Sequence, residues 1–238
     1  DGVGLGDDGT LWGGETFVGK PGHWQRAATL RPFHLPGGDR AGRAPWRSAA
    51  AVCWELGHDF PGHVPDPIVR NAWERRLNAP QSSAAGRLFD AAAALVLGVG
   101  ETSFEGQGPM WLEAIATAVD AHPRLPLQET PTGVCVIDWA PLIEWLLQSR
   151  ALPAAHRAGA VHASLATAIV DVARAVRARS GHRVVGLTGG VFQNRRLCEL
   201  ALQQLQAAGF DVRLPQQLPC NDGGLSYGQV ADFAGRSD

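Results

Sequence analysis

The sequence predicts an α/β protein, and three observations carry that prediction. Val184-Val185-Gly186-Leu187 is a continuous apolar run of strand length, the kind a parallel sheet buries on both faces. It stands between two helix-length amphipathic segments, residues 160–179 and 194–208. A second short apolar run at 210–214 and a last helical stretch at 223–234 then repeat the alternation. Strand and helix in turn imply parallel strands joined by right-handed crossovers.

Upstream the pattern differs. Residues 1–36 are short apolar stretches cut by glycine, as in Thr10-Leu11-Trp12-Gly13-Gly14-Glu15-Thr16-Phe17-Val18 and again in Ala27-Ala28-Thr29-Leu30-Arg31-Pro32-Phe33, which read as β-hairpin material. Pro45 stands where a first helical turn tolerates it and opens a helix through 49–57. Segments 65–78, 84–97 and 106–122 continue as helices, and residues 78–83 between two of them have the composition of a linker. Val134-Cys135-Val136-Ile137 reads as a strand, followed by a helix over 139–148 with Leu142, Ile143, Leu146 and Leu147 on one face. The expected division is a hairpin-plus-helical part over 1–130 and an α/β half-domain over 131–238.

Bulk composition limits function. With 238 residues, 45% of them apolar and 18% charged, the chain can bury one or two cores. A net charge of −2 without any block of Lys and Arg offers nucleic acid and anionic membranes no electrostatic footprint, so neither is expected as a partner. Cys53, Cys135, Cys198 and Cys220 form neither a metal-ligand spacing nor a disulfide pattern, which fits a reducing, cytoplasmic setting. No signal peptide or membrane-spanning apolar run is expected. The first residues, Asp1-Gly2-Val3-Gly4-Leu5-Gly6, read as the inside of a strand and turn, so the chain is expected to be part of a longer one.

Four segments can carry chemistry. Leu187-Thr188-Gly189-Gly190-Val191-Phe192-Gln193-Asn194 is a strand ending in two glycines before a helix, where backbone N–H groups can meet a phosphate; equally, Asn194 can simply cap the helix. Cys220-Asn221-Asp222-Gly223-Gly224 places a carboxylate at a helix start, where it can bind a hard cation or act as a cap. In Gly86-Arg87-Leu88-Phe89-Asp90 the Arg and Asp lie one turn apart, and Asp90, followed by an apolar run, must be paired if it faces inward. Ser103-Phe104-Glu105-Gly106-Gln107-Gly108 is a glycine-punctuated loop ahead of a helix that carries Glu113. None of the eight histidines pairs with another four residues away on a helix, so surface or packing roles are expected for most.

Taken in order, these pieces are more specific than any one alone. The opening Asp1-Gly2-Val3-Gly4-Leu5-Gly6, Trp12-Gly13-Gly14-Glu15, Leu30-Arg31-Pro32-Phe33, Leu35-Pro36-Gly37-Gly38-Asp39, Pro45-Trp46-Arg47, the 86–90 and 104–107 motifs, Gly189-Gly190-Val191-Phe192-Gln193-Asn194 and Asn221-Asp222-Gly223-Gly224 together resemble the hydrogenase-maturation carbamoyltransferases of the HypF type. A more distant resemblance is to the tRNA threonylcarbamoyltransferases. The resemblance implies an actin/Hsp70-like ATPase fold of Kae1-like type, with the N-terminal half-domain truncated and a helical insertion. It implies transfer of a carbamoyl group from carbamoyl-adenylate, made from carbamoyl phosphate and ATP, to the C-terminal cysteine of the partner HypE, on the way to the cyanide ligands of [NiFe] hydrogenase.

Carried over position by position, the resemblance makes Asp222 a metal ligand and Asp1 a second acidic residue near metal and phosphate, both counted as catalytic. Gly2, Gly106, Gly189, Gly190 and Asn194 would contact nucleotide or carbamoyl-adenylate, with Asp90 on the ribose side. The metal would be a divalent ion, zinc or iron. The family's two metal-binding histidines lie upstream of Asp1, so this chain alone is expected to bind metal weakly and not to turn over. Cys220 stands where the family often has proline, and is read as a tolerated small residue. The alternatives are a carbamoyltransferase with another acceptor, a small-molecule hydroxyl or a tRNA, and a non-catalytic lobe that docks HypE.

Overall fold

The structure is a computed structural model that describes residues 3–236, so the expectations for Asp1 and Gly2 lie outside the described residues. It is mixed α/β, with ten strands and eight α-helices in the described part. β1 (Gly4–Leu5), β2 (Leu11–Trp12), β5 (Phe33–His34) and β6 (Gln81–Ser82) make one sheet in the order β1-β2-β6-β5. β3 (Glu15–Lys20) and β4 (His23–Leu30) form the expected hairpin, with a bulge between Thr16 and Phe17. β7 (Leu127–Glu129) and β8 (Cys135–Ile137) complete that second sheet, β8 running parallel to β4 with Ala28 opposite Cys135 and Leu30 opposite Ile137. The two expected parts of the chain therefore share a sheet.

The helices are α1 (Pro45–Glu55), α2 (Ile68–Glu74), α3 (Ala85–Leu97), α4 (Gln107–Ile115), α5 (Ala140–Gln148), α6 (Ala154–Ser180), α7 (Arg195–Ala207) and α8 (Leu225–Gly235). Small residues bring α1 and α3 together: Ala49, Ala50 and Ala51 on one and Ala91, Ala92 and Ala93 on the other are fully buried. Leu142, Ile143 and Leu146 carry the buried face of α5, next to Trp139, the largest side chain with no exposure. Trp139 also donates its indole N–H to Arg31 O at 2.5 Å, tying the start of α5 to the link between β4 and β5. α6 is long and apolar enough to cross a membrane by length and composition, where the sequence reading expected no such run. Most of it is buried, and Val161, Leu165, Val170 and Val172 belong to the main core.

Three expectations are corrected. Residues 78–83 are not a linker: β6 pairs with both β2 and β5, and Ser82 and Ser83 are buried. Polar composition suggested a linker, but the serine hydroxyls are internally bonded, Ser82 Oγ accepting the Ala84 N–H and Ser83 Oγ donating to Glu15. The helix expected through residue 122 stops at Ile115, because Ala116 turns extended and Thr117 donates its N–H to Ala155 O at 3.1 Å. Gly159 makes that approach possible, since a Cβ there would lie 2.1 Å from Thr117 O. Finally, β9 (Val184–Gly186) pairs in parallel with β10 (Asp211–Arg213) as expected, but in a two-stranded sheet with Val184 62% exposed rather than buried on both faces.

Candidate functional site

The strand β9 leads through Leu187, which is buried, into Gly189. Gly189 has φ 108° and ψ 152°, a conformation that side chains make costly, and its N–H donates to Cys220 O at 2.7 Å. That bond lays the Gly189-Gly190 turn beside the Cys220-Asn221-Asp222 loop. A Cβ on Gly190 would have only Asn221 Cβ and Gln193 Oε1 as close neighbours, each at 3.9 Å, so the turn is open at its glycine. A 3-10 turn over Gly190–Gln193 follows, closed by the Asn194 N–H to Val191 O at 3.1 Å. Across from it a second 3-10 turn, Asp222–Gly224, opens α8. Asn221, not Asp222, caps that turn, accepting the Gly223 N–H at 3.1 Å. Asp222 itself is exposed.

The start of α7 is already satisfied internally. Asn194 Oδ1 accepts the Leu197 N–H at 2.8 Å, the capping alternative of the sequence reading. Glu113, reaching over from α4, accepts the Arg195 and Arg196 N–H groups at 2.8 and 3.3 Å. A carboxylate on the positive end of the helix is the favourable arrangement. The helix-start amides of Arg195, Arg196 and Leu197 are thus bonded internally, which leaves the glycine turn before the helix as the candidate backbone for a phosphate. The sequence names Glu113 only as a residue of the helix after the glycine-punctuated loop; tertiary structure alone brings it to α7.

His162 was missed in the same way. It has no exposure, and its Nδ1 lies 2.7 Å from Ala158 O while its Nε2 lies 2.9 Å from Asn194 Nδ2. Burial, above all, lowers its pKa from the ordinary value, keeping the ring neutral.

Asp90 lies on α3, which packs against the Gly190–Gln193 turn, and Gly106 lies at the start of α4. Asp90 is 1% exposed, with Arg87 Nη1 3.0 Å from its Oδ2, so the inward-facing Asp is paired as the sequence required. The approach lacks a hydrogen-bonding angle, and neither carboxylate oxygen has a hydrogen-bond donor. Burial pushes Asp90 up to about 7, against the pull of Arg87 and with the help of the Glu105 charge. Arg87 Nη2 meets Glu105 Oε1 at 2.6 Å, so one guanidinium ties α3 to the loop whose Gly106, at φ 83°, starts α4. On the same helix Phe89 packs against His162, with 5.3 Å between ring centroids.

A further polar centre gathers the opening motifs. The Glu15 carboxylate accepts from the Gly13 and Gly14 N–H groups, from Arg26 at 3.1 Å, from Thr29 at 3.0 Å and from Ser83. Arg26 also meets Asp8 at 2.8 Å. Among the described residues no three His, Cys, Asp or Glu side chains come together as a metal centre. Asp222 is the one expected ligand described, and the described residues do not fit a metal by themselves.

The chain matches, over residues 1–229, the family model described as "Carbamoyltransferase, Kae1-like Domain, second subdomain". It is 39% identical to carbamoyltransferase HypF2 of Cupriavidus necator and 41% identical to carbamoyltransferase HypF of Rhodobacter capsulatus, in each case over 97% of this chain but 32% and 31% of the relative. A crystal structure of full-length HypF in the phosphate- and nucleotide-bound form superposes with a TM-score of 0.88 at 29% identity, covering 100% of this chain and 32% of the other. The chain spans about a third of the length of these relatives. By family match, relatives and fold together, the chain belongs to the HypF carbamoyltransferases and lies in the second subdomain of their Kae1-like domain.

Proposed function

We propose that this lobe holds the nucleotide part of ATP or carbamoyl-adenylate against residues 189–193 and the facing loop 220–224 while the carbamoyl group passes to an acceptor. The observation that carries the reading is the Gly189 N–H to Cys220 O bond of 2.7 Å, which sets two glycine-containing turns side by side with Gly190 open between them. Backbone N–H groups in such turns suit phosphate oxygens, and a glycine lets the ligand come close. That full-length HypF has been seen in a phosphate- and nucleotide-bound form supports nucleotide use by the whole protein.

The acceptor is the C-terminal cysteine of HypE, the donor is made from carbamoyl phosphate and ATP, and the setting is the cytoplasm during hydrogenase maturation. Attack of the acceptor thiolate on the carbamoyl carbon displaces AMP; the turn amides steady the phosphate as it leaves. A divalent metal is part of this family reading, with Asp222 and Asp1 as ligands, and it would add charge neutralisation at the phosphate. No step is routed through it here, since Asp222 alone does not make a site. Asn194 serves the ligand through its backbone and cap, because its side chain is committed to Leu197 and His162. Asp90, expected on the ribose side, and Gly106, expected at the ligand, are brought together by Arg87, which meets both Asp90 and Glu105.

Gly190→Leu tests the reading in the complete polypeptide that carries this sequence. Its Cβ has room, so the melting temperature should hold, while carbamoyl transfer to a HypE C-terminal peptide falls at least about tenfold. Unchanged transfer with a folded variant would remove the turn from the site.

A further inference from the structure

We infer that His162 is a positioning residue for the nucleotide turn, acting through Asn194; the inference rests on the nucleotide reading of that turn. A helical carbonyl can only accept, so the 2.7 Å contact with Ala158 O requires His162 Nδ1 to carry the proton. Nε2 then presents a lone pair, and the atom 2.9 Å away must be a donor, the Asn194 amide NH2. This leaves Asn194 Oδ1 as the acceptor for the Leu197 N–H at 2.8 Å. One tautomer and one amide orientation determine each other. With the side chain held at both atoms, the Asn194 backbone is fixed where its N–H closes the Gly190–Gln193 turn on Val191 O.

The ring has no other freedom. His162 is fully buried in the first third of α6 and lies against Phe89 of α3, 5.3 Å between centroids and tilted 57°. A hydrogen-bonded, enclosed imidazole facing the last residue of the turn transmits the rigidity of the α3 and α6 packing to a segment with few buried side chains of its own. Among Val191, Phe192, Gln193 and Asn194 none is buried. Without the Nε2 acceptor the Asn194 amide can turn over, the cap on Leu197 is lost, and the turn is free to leave the geometry that faces loop 220–224.

Two substitutions separate positioning from packing. His162→Gln can place Oε1 near the position of Nε2 and keep an acceptor for Asn194, whereas His162→Asn keeps a donor for Ala158 O and has no atom at Nε2. Both lose the ring contact with Phe89 and should lower the melting temperature alike. In the complete polypeptide, ATP titration calorimetry is compared with the Gly190→Leu variant, so that only the binding this variant removes is scored. The expected result is affinity within about threefold of the parent for His162→Gln and a loss of about tenfold or more for His162→Asn. Equal losses in both, or no loss in His162→Asn, would overturn the positioning role. If Gly190→Leu leaves ATP binding intact, it is instead the nucleotide reading of the turn that fails.

Discussion

Asp90→Asn is expected to flatten the dependence of stability on pH. The carboxyl is 1% exposed, its oxygens have no hydrogen-bond donor, and burial raises it from 3.8 to about 7 despite Arg87. A group whose folded pKa lies above its unfolded one contributes stability that is complete below the unfolded pKa and is lost as pH rises through the folded one. Between pH 5 and 8 the unfolded chain already carries an ionised Asp90, while the folded chain gives up that proton only near 7. At about 1.4 kcal/mol per unit, the slope acts over roughly two units and amounts to about 2 to 3 kcal/mol of wild-type stability lost across that window. The amide does not titrate, and Arg87 keeps Glu105 as a partner at 2.6 Å. Urea denaturation of both proteins at pH 5, 6, 7 and 8 gives the difference directly, and other titrating groups cancel in it. Parallel curves would refute the reasoning, since they would mean that Arg87 holds Asp90 ionised throughout.

Other substitutions test other parts of the structure. Trp139→Ala should cost about 3–5 kcal/mol in the same urea assay, because it empties the largest fully buried site and leaves Arg31 O without its donor. Glu113→Ala should cost about 1 kcal/mol by removing the carboxylate cap from Arg195 and Arg196, and salt should weaken the effect. Asn194→Asp puts a carboxylate beside His162 Nε2, so the imidazole, followed by its proton NMR signals, should titrate above its ordinary pKa of 6.5 rather than below it as in the parent.

Most of the helices and the β9-α7-β10 unit were legible because their apolar periodicity is local. What was not legible came from contacts distant in sequence. Residues 78–83 are polar by composition, and only the place of β6 between β2 and β5, with hydroxyls bonded inward, buries Ser82 and Ser83. Helix α4 ended seven residues early for a similar reason: the start of α6, through Gly159, takes the next segment as an extended neighbour. At the site, the glycine turns and the Arg87–Asp90 pair could be read from spacing. Glu113 and His162 could not, since each sits on a helix face that looks ordinary until α4 and α6 meet the start of α7. The one available hint was a histidine among apolar residues near the start of a long helix, a position that demands partners for both ring nitrogens once buried.

The most direct test of the nucleotide assignment is hydrogen–deuterium exchange of the complete polypeptide with and without ATP. The account predicts slowed exchange in peptides covering 187–197 and 219–226, and loss of that protection in Gly190→Leu. Protection confined to other parts of the protein, with both of these segments unchanged at saturating ATP, would contradict it.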